Sequence, residues 1–226
     1  MRKNQEYKHA SLEVLKGNWA PFIVASIILM AVAYVVTGPY IVVYELTINS
    51  IPVNPILALV SVALYLLAMP LVFMPINLGY TYAANRLCVE GDNALICNMF
   101  RDGFGRWFRK VWTVFLMGFF TFLWSLLLIV PGFIKLYAYS MTPYILIDNP
   151  ELSANQAINL SRDMMKGHKL DLFCLHLSFI GWLFLSLLTL GIGLLWLMPY
   201  VMTAQATFYQ DLKKEYIANN NSIINN

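Results

Sequence analysis

Charge is scarce in this chain. Asp, Glu, Lys and Arg make up 12% of its 226 residues, about half the roughly 25% of an average soluble domain. Too little polar surface is available to cover a water-facing globule. Cysteine and histidine are scarce as well. The three cysteines, Cys88, Cys97 and Cys174, form no C-x-x-C pair and show no metal-ligand spacing, which argues against a zinc site or a dithiol redox centre. The three histidines, His9, His168 and His176, are far apart, and no H-E-x-x-H is present. Glycine-rich phosphate loops are absent too. The chain therefore reads as non-enzymatic, with no cofactor and no metal. GFGRWF (103–108) interleaves basic and aromatic residues, as a nucleic-acid surface can, but Trp and Arg are equally expected as anchors at a membrane edge. No nucleic-acid partner is read from it.

Hydrophobic residues, by contrast, reach 59%, and the mean hydropathy is +0.63. A soluble protein of this size has too high a surface-to-volume ratio to hide so much apolar area. The chain reads as an integral membrane protein of the all-α class, a polytopic bundle of about six transmembrane helices. The candidate spans are 20–46, 55–86, 108–130, 132–147, 170–189 and 191–212; a spanning helix needs roughly 20 apolar residues. The first two are long and contain Pro39, Pro70 and Pro75, which predicts kinks or extensions beyond the bilayer. The fourth is short and carries Lys135 and Pro143. A cleaved signal peptide is the competing reading of the first span, but that apolar run is too long for one.

The few cations are placed asymmetrically. Arg2, Lys3, Lys8 and Lys16 precede the first span. Arg86, Arg101, Arg106, Arg109 and Lys110 surround the second loop. Arg162, Lys166 and Lys169 occupy the fourth, and Lys213 and Lys214 follow the last span. The alternate connections, 48–54, Pro131-Gly132 and 190–193, have no Lys or Arg. The positive-inside rule then places both termini and the two basic loops in the cytoplasm.

The chain also repeats weakly. Arg101-Asp102 recurs as Arg162-Asp163, Asn98 as Asn159, Gly132 as Gly193 and Met141-Thr142 as Met202-Thr203, each 61 residues later. Thr81 precedes Thr142 by the same step, and SLEVLKGNW (11–19) resembles SRDMMKGHK (161–169). This predicts one membrane domain, 1–216, of three units at about 5–87, 92–147 and 153–212, each a short amphipathic helix followed by a transmembrane hairpin. The tail 217–226 is polar and reads as disordered. At 100° per residue, Ala154, Ala157, Ile158, Leu160, Ser161, Met164 and Met165 share one face of a helix over 153–166. Ser153 suits its N-cap, and Gly167 its left-handed C-terminal position. In the second unit Leu95, Ile96, Met99 and Phe100 fall together. Such helices suit the membrane interface, with cations toward anionic headgroups. The candidate headgroup contacts are Lys16, Arg101, Arg106, Arg109, Arg162, Lys166 and Lys169. The alternative is that these helices merely cap the bundle. A candidate intramembrane polar site comprises Asn77, Thr142, His176, Thr203 and Gln205; the plainer reading makes them interhelical hydrogen-bond partners.

PYILIDNPELSANQAINLSRDMMKGHKLDLFCLHLSFIGW (143–182), LKGNW near the start, IVPGFIKLYAYSMTPY (129–144) and LGIGLLWLMPY (190–200) resemble the bacterial membrane family catalogued as domain of unknown function 975. More distantly the chain is similar to the membrane domain that accompanies some glycerophosphodiester phosphodiesterases. The resemblance implies a six-helix, multi-pass protein of the bacterial cytoplasmic membrane, and it brings no activity or site residues. Three functions follow, in order. The first is binding or organising anionic membrane lipid or a partner membrane protein. The second is a small transporter or transporter accessory subunit. The third is a lipid-acting membrane enzyme, for which His176 and Asp171 are the only candidate residues.

Overall fold

A computed structural model describes residues 2–127 and 129–224. They are helical, with no strand among them. The order is α1 (Asn4–Leu15), α2 (Trp19–Ile48), α3 (Pro55–Ala68), a π-helical turn (Met69–Phe73), α4 (Met74–Glu90), α5 (Leu95–Phe104), α6 (Trp107–Leu127), α7 (Ile129–Tyr139), α8 (Thr142–Asp148), α9 (Ala154–Met164), α10 (Lys169–Leu177), α11 (Ile180–Leu188) and α12 (Leu194–Ile224). Among the described residues, three helical tracks are long and apolar enough to cross a membrane: Trp19–Ile48, Pro55–Glu90 and Lys169–Leu188.

Proline shapes these tracks. Pro70 cannot donate to the helical ladder and its ring crowds the carbonyl four residues back. The chain widens there into the π turn, so α3 and α4 continue as one track. Pro143, in the first turn of α8, has the opposite effect. The ladder stops at Ser140–Met141, and the expected span over 132–147 is instead two helices, α7 and α8. The track of α10 and α11 is interrupted at Ser178–Phe179, where Lys8 Nζ donates to the Ser178 carbonyl (2.7 Å) and lies 4.6 Å from the centre of the Phe179 ring. Taking these groups out of water pulls the Lys8 ammonium below its ordinary pKa. At the far end, α12 runs through most of the stretch read as a disordered tail; Asn225 and Asn226 lie outside the described residues.

Caps delimit the short helices. Ser153 and Gln156 form a reciprocal capping box at the start of α9. Gly167, at φ +87°, turns the chain toward α10. Asp92 Oδ1 accepts from the Ala94 amide (2.9 Å) and its Oδ2 from Asn98 Nδ2 (2.8 Å), ahead of α5. These bonds hold the Asp92 carboxyl below the usual carboxylate range.

The core lies in one half of the bundle. One cluster joins Leu15, the start of α2 (Phe22, Ala25, Leu29), α4 (Ile76, Tyr80, Ala83, Ala84) and α5 (Leu95, Met99). A second joins Tyr7 to α8, α9, α10 and the part of α12 around Phe208 and Leu212. Tyr200 packs against both. The tightest contact is between α4 and α5. A Cβ on Gly79 would collide with the Met99 carbonyl, and one on Gly103 with the Pro75 carbonyl. This approach sets the rotation of α5. Its buried residues are Leu95, Asn98, Met99 and Gly103, and Phe100, at the edge of the same apolar face, is exposed. Elsewhere α2, α3, α6 and α11 leave large apolar side chains uncovered, among them Tyr34, Leu59, Phe122 and Leu188.

Candidate functional site

Cations separated in sequence converge where α4, α5 and α6 meet the connection from α8 to α9. A groove of about 180 Å³ opens there, lined by Arg86 and Tyr82 of α4, Arg101 and Asp102 of α5, Arg106, and Arg109 and Lys110 of α6. Five cations face one carboxylate in this lining. Arg106 joins α5 to α6 with φ +50°, a left-handed conformation that a side chain disfavours. The strain is offset by contacts to the facing loop: Nη1 donates to the Pro150 carbonyl and lies 3.4 Å from Glu151 Oε1. Arg109 caps the end of α8. Its Nη2 donates to the Leu146 carbonyl (3.2 Å), and its Nη1 to the carbonyls of Leu152 (2.9 Å) and Pro150, which supplies donors to a helix end whose carbonyls have no intrahelical partner.

The floor of the groove is built by Lys110, Tyr82 and the pair Arg86–Asp102. Lys110 is buried; its ammonium donates to the Asp102 carbonyl and lies 4.7 Å from the centre of the Tyr82 ring. Arg86 Nε is 2.9 Å from Asp102 Oδ2. Arg101 Nη2 donates to Asn98 Oδ1 (2.7 Å), and Asn98 in turn donates to Asp92. Four buried polar atoms of the lining make no hydrogen bond among the described residues, and two of them, Arg86 Nε and Asp102 Oδ2, face each other as an ion pair. The Tyr82 hydroxyl and Arg109 Nε are buried without a hydrogen-bond partner among the described residues, and Tyr82 is only 1% exposed. A buried, unpaired hydroxyl costs about 1–3 kcal/mol, so its retention calls for an explanation.

Of the seven cations nominated from sequence, the groove unites Arg101, Arg106 and Arg109. Lys16 is exposed beyond α1, and Arg162 is exposed on α9. Lys166 is exposed and pairs with Asp163 (2.9 Å), and Lys169 opens α10. The five nominated intramembrane polar residues differ in their surroundings. Thr142 and Thr203 are fully buried, Thr203 donating to the Pro199 carbonyl (2.6 Å). Asn77 and Gln205 are half-buried. His176 lines a separate apolar groove of about 370 Å³ with Tyr137 and Val201. A third groove, of about 380 Å³, is walled by Trp19, Trp182 and Trp196; both are larger than the basic groove and nearly devoid of polar groups. Asp171 sits near His168 (3.1 Å) rather than His176. No group of three His, Cys, Asp or Glu side chains among the described residues could hold a metal ion.

Sequence reading passed over Tyr82, Arg86 and Lys110. Arg86 and Lys110 entered only the orientation argument. A signal for Arg86 was the length of the 55–90 track, which at 36 residues and 1.5 Å per residue is about 54 Å, well beyond a bilayer core of about 30 Å. Its last turns must therefore leave the apolar layer.

All-helical architecture, three helices able to cross a membrane and a basic groove beside uncovered apolar helices together describe a membrane-type helical protein. Within that class, residues 109–216 match the family model described as "Protein of unknown function (DUF975)". The match runs from Arg109 in the groove to Tyr216 in α12, and it leaves α1 to α5 outside. Neither a curated protein nor a solved structure matches the chain.

Proposed function

We propose that this chain is a non-enzymatic, multi-pass protein of the bacterial cytoplasmic membrane that binds and organises anionic lipid at the basic end of its bundle. The observation that carries this reading is the position of the groove. Its cations lie beside an uncovered apolar surface that includes Phe104, Phe108, Trp112 and Phe115. A molecule with an anionic head and apolar chains complements both surfaces at once. In this reading the chain crosses the membrane six times, as three hairpins each preceded by a short helix, and both termini are cytoplasmic. The 61-residue repeat gains support from packing: Gly132 contacts Ser125 within one hairpin, and Gly193 contacts Ser186, each 61 residues later, within the next.

The test is native mass spectrometry of the gently purified full chain. Retained anionic phospholipid is the expected result, reduced when Arg101 and Arg106 of the groove are both replaced by Gln. A co-purifying membrane protein would favour the partner-organising form of the proposal. A bare chain that also fails to enrich anionic lipid from mixed vesicles would sink the lipid reading. The interruption of two helical tracks, at Ser140–Met141 and Ser178–Phe179, favours transport as a second reading, because broken helices line many transporter sites. Solute flux into liposomes carrying the purified chain would promote it.

A further inference from the structure

We infer that the basic groove is a phosphate site, with Tyr82 and the cations of α4, α5 and α6 as its donors; the lipid-binding proposal bears only on where the phosphate comes from. Three observations point to phosphate rather than to any anion. First, the donors arrive from several directions: Tyr82 and Arg86 from α4, Arg101 from α5, Arg106 from the turn, Arg109 and Lys110 from α6. A planar carboxylate offers two oxygens in one plane, whereas a tetrahedral phosphate offers three or four that spread across such a set. Second, the protein leaves capacity unused. The Tyr82 hydroxyl and Arg109 Nε have no partner among the described residues. Lys110 has three N–H donors, and its one hydrogen bond described here is to the Asp102 carbonyl. Third, cations outnumber carboxylates. The lining carries five cations and Asp102, which Arg86 (2.9 Å) and Arg101 (3.3 Å) share. At the margin Asp92 and Glu90 approach Arg86 (4.0 and 3.9 Å) and Glu151 approaches Arg106 (3.4 Å), so Arg109 and Lys110 face no carboxylate of their own among the described ion pairs. About 180 Å³ admits a phosphate group and little more, so a larger ligand would leave its remainder outside. The exposed Phe104 and Phe108 beside the groove would let the apolar chains of a phospholipid continue along α6.

Tyr82→Phe is the decisive variant, because it removes only a hydroxyl that has no hydrogen-bond partner among the described residues. The full chain in neutral detergent is tested in two arms. In the first, its Tm is followed against inorganic phosphate and against chloride at equal ionic strength. In the second, native mass spectrometry counts retention from an equal mixture of phosphatidic acid, diacylglycerol and oleate. The expected result is selective retention of phosphatidic acid, weakened about tenfold by Tyr82→Phe, as loss of one hydrogen bond to a charged group implies. Arg101→Gln at the rim should weaken it similarly, and Lys214→Gln on α12 should leave it unchanged. Without ligand, Tyr82→Phe should unfold at the wild-type temperature or above, which a purely structural role for the hydroxyl would not allow.

Stabilisation by inorganic phosphate without phosphatidic acid retention would keep the phosphate site, assign it to a free anion and remove support from the lipid proposal. Retention of oleate equal to that of phosphatidic acid would overturn the inference, since a carboxylate would then suffice. Retention untouched by Tyr82→Phe and Arg101→Gln but lost with the double Lys166→Gln and Lys169→Gln variant would overturn the groove while sparing the lipid proposal. No response in either arm would overturn both.

Discussion

Leu59 and Leu87 belong to the same helical track, yet Leu59 is 73% exposed and Leu87 is 5% exposed. Neighbouring residues follow suit. Around Leu59, the large side chains Ile56, Leu57, Leu64 and Leu66 are uncovered; around Leu87, Tyr80, Tyr82, Ala83 and Ala84 are buried. One helix thus passes from a region where most of its large side chains are uncovered and α2 is its neighbour, Tyr65 stacking on Tyr40 at 5.0 Å, to one where they pack against α5 and α12. The first region needs a partner that is itself apolar. There, association of helices gains little from hydrophobicity and depends on close packing and hydrogen bonds. The second region makes its own partners. Phe22 packs edge-on against Tyr80 at 5.8 Å, Tyr80 shares a hydrogen bond with Ser26 (2.9 Å), and Tyr209 donates to Asp148 (2.8 Å). Arg86, Arg109 and Lys110 rise from helices of this packed region, whereas Arg106 lies in the turn from α5 to α6 and is held by the facing loop.

That contrast can be broken or sharpened by substitution. The largest effect is expected at the backbone contact of α4 and α5. Gly79→Leu forces a side chain into the Met99 carbonyl and should cost about 3 kcal/mol or more. An unchanged denaturation midpoint in detergent would contradict the close approach. Leu87→Ala removes packed atoms from the core and should cost about 2–5 kcal/mol. Asp148→Asn weakens the bonds from Lys213 Nζ (2.6 Å) and the Tyr209 hydroxyl (2.8 Å). The aspartate side chain is only 16% exposed, but Lys213 is half-open to solvent, so the expected loss is about 1–2 kcal/mol. A double-mutant cycle with Lys213→Met would give the share of the ion pair. The smallest effect is expected at Leu59→Ala, within about 0.5 kcal/mol in a bilayer mimic. A large loss there, measured by the same unfolding assay as Leu87→Ala, would mean that the uncovered face is packed after all.

Parts of this architecture were legible residue by residue. Ser153 and Gly167 announced both ends of α9, because a cap and a left-handed turn are local demands on one or two residues. The apolar tracks were legible too, since length and composition suffice to recognise them. Other features were legible only in part. Periodicity put Leu95, Ile96, Met99 and Phe100 on one apolar face of α5, and the close approach of Gly103 to α4 divides that face, burying Leu95 and Met99 and leaving Phe100 exposed. The fourth apolar stretch was marked as short and as carrying Pro143, and it is divided there into α7 and α8. In the groove, Arg101, Arg106 and Arg109 stood out by charge and aromatic context. Tyr82 did not, because a tyrosine among alanines in an apolar helix carries no local mark of an unpaired hydroxyl.

Composition and the spacing of charges were enough to determine that the chain is helical, predominantly apolar and basic at alternate connections, because those properties are sums over neighbours in sequence. Tertiary structure alone decided that Arg86 would meet Asp102, that Arg109 would cap α8 across 37 or more residues of chain, and that the Tyr82 hydroxyl would be buried without a hydrogen-bond partner among the described residues. Each depends on how far one helix is rotated and slid against another, and that is set by contacts such as Gly79 with Met99, which no periodicity within a single helix encodes.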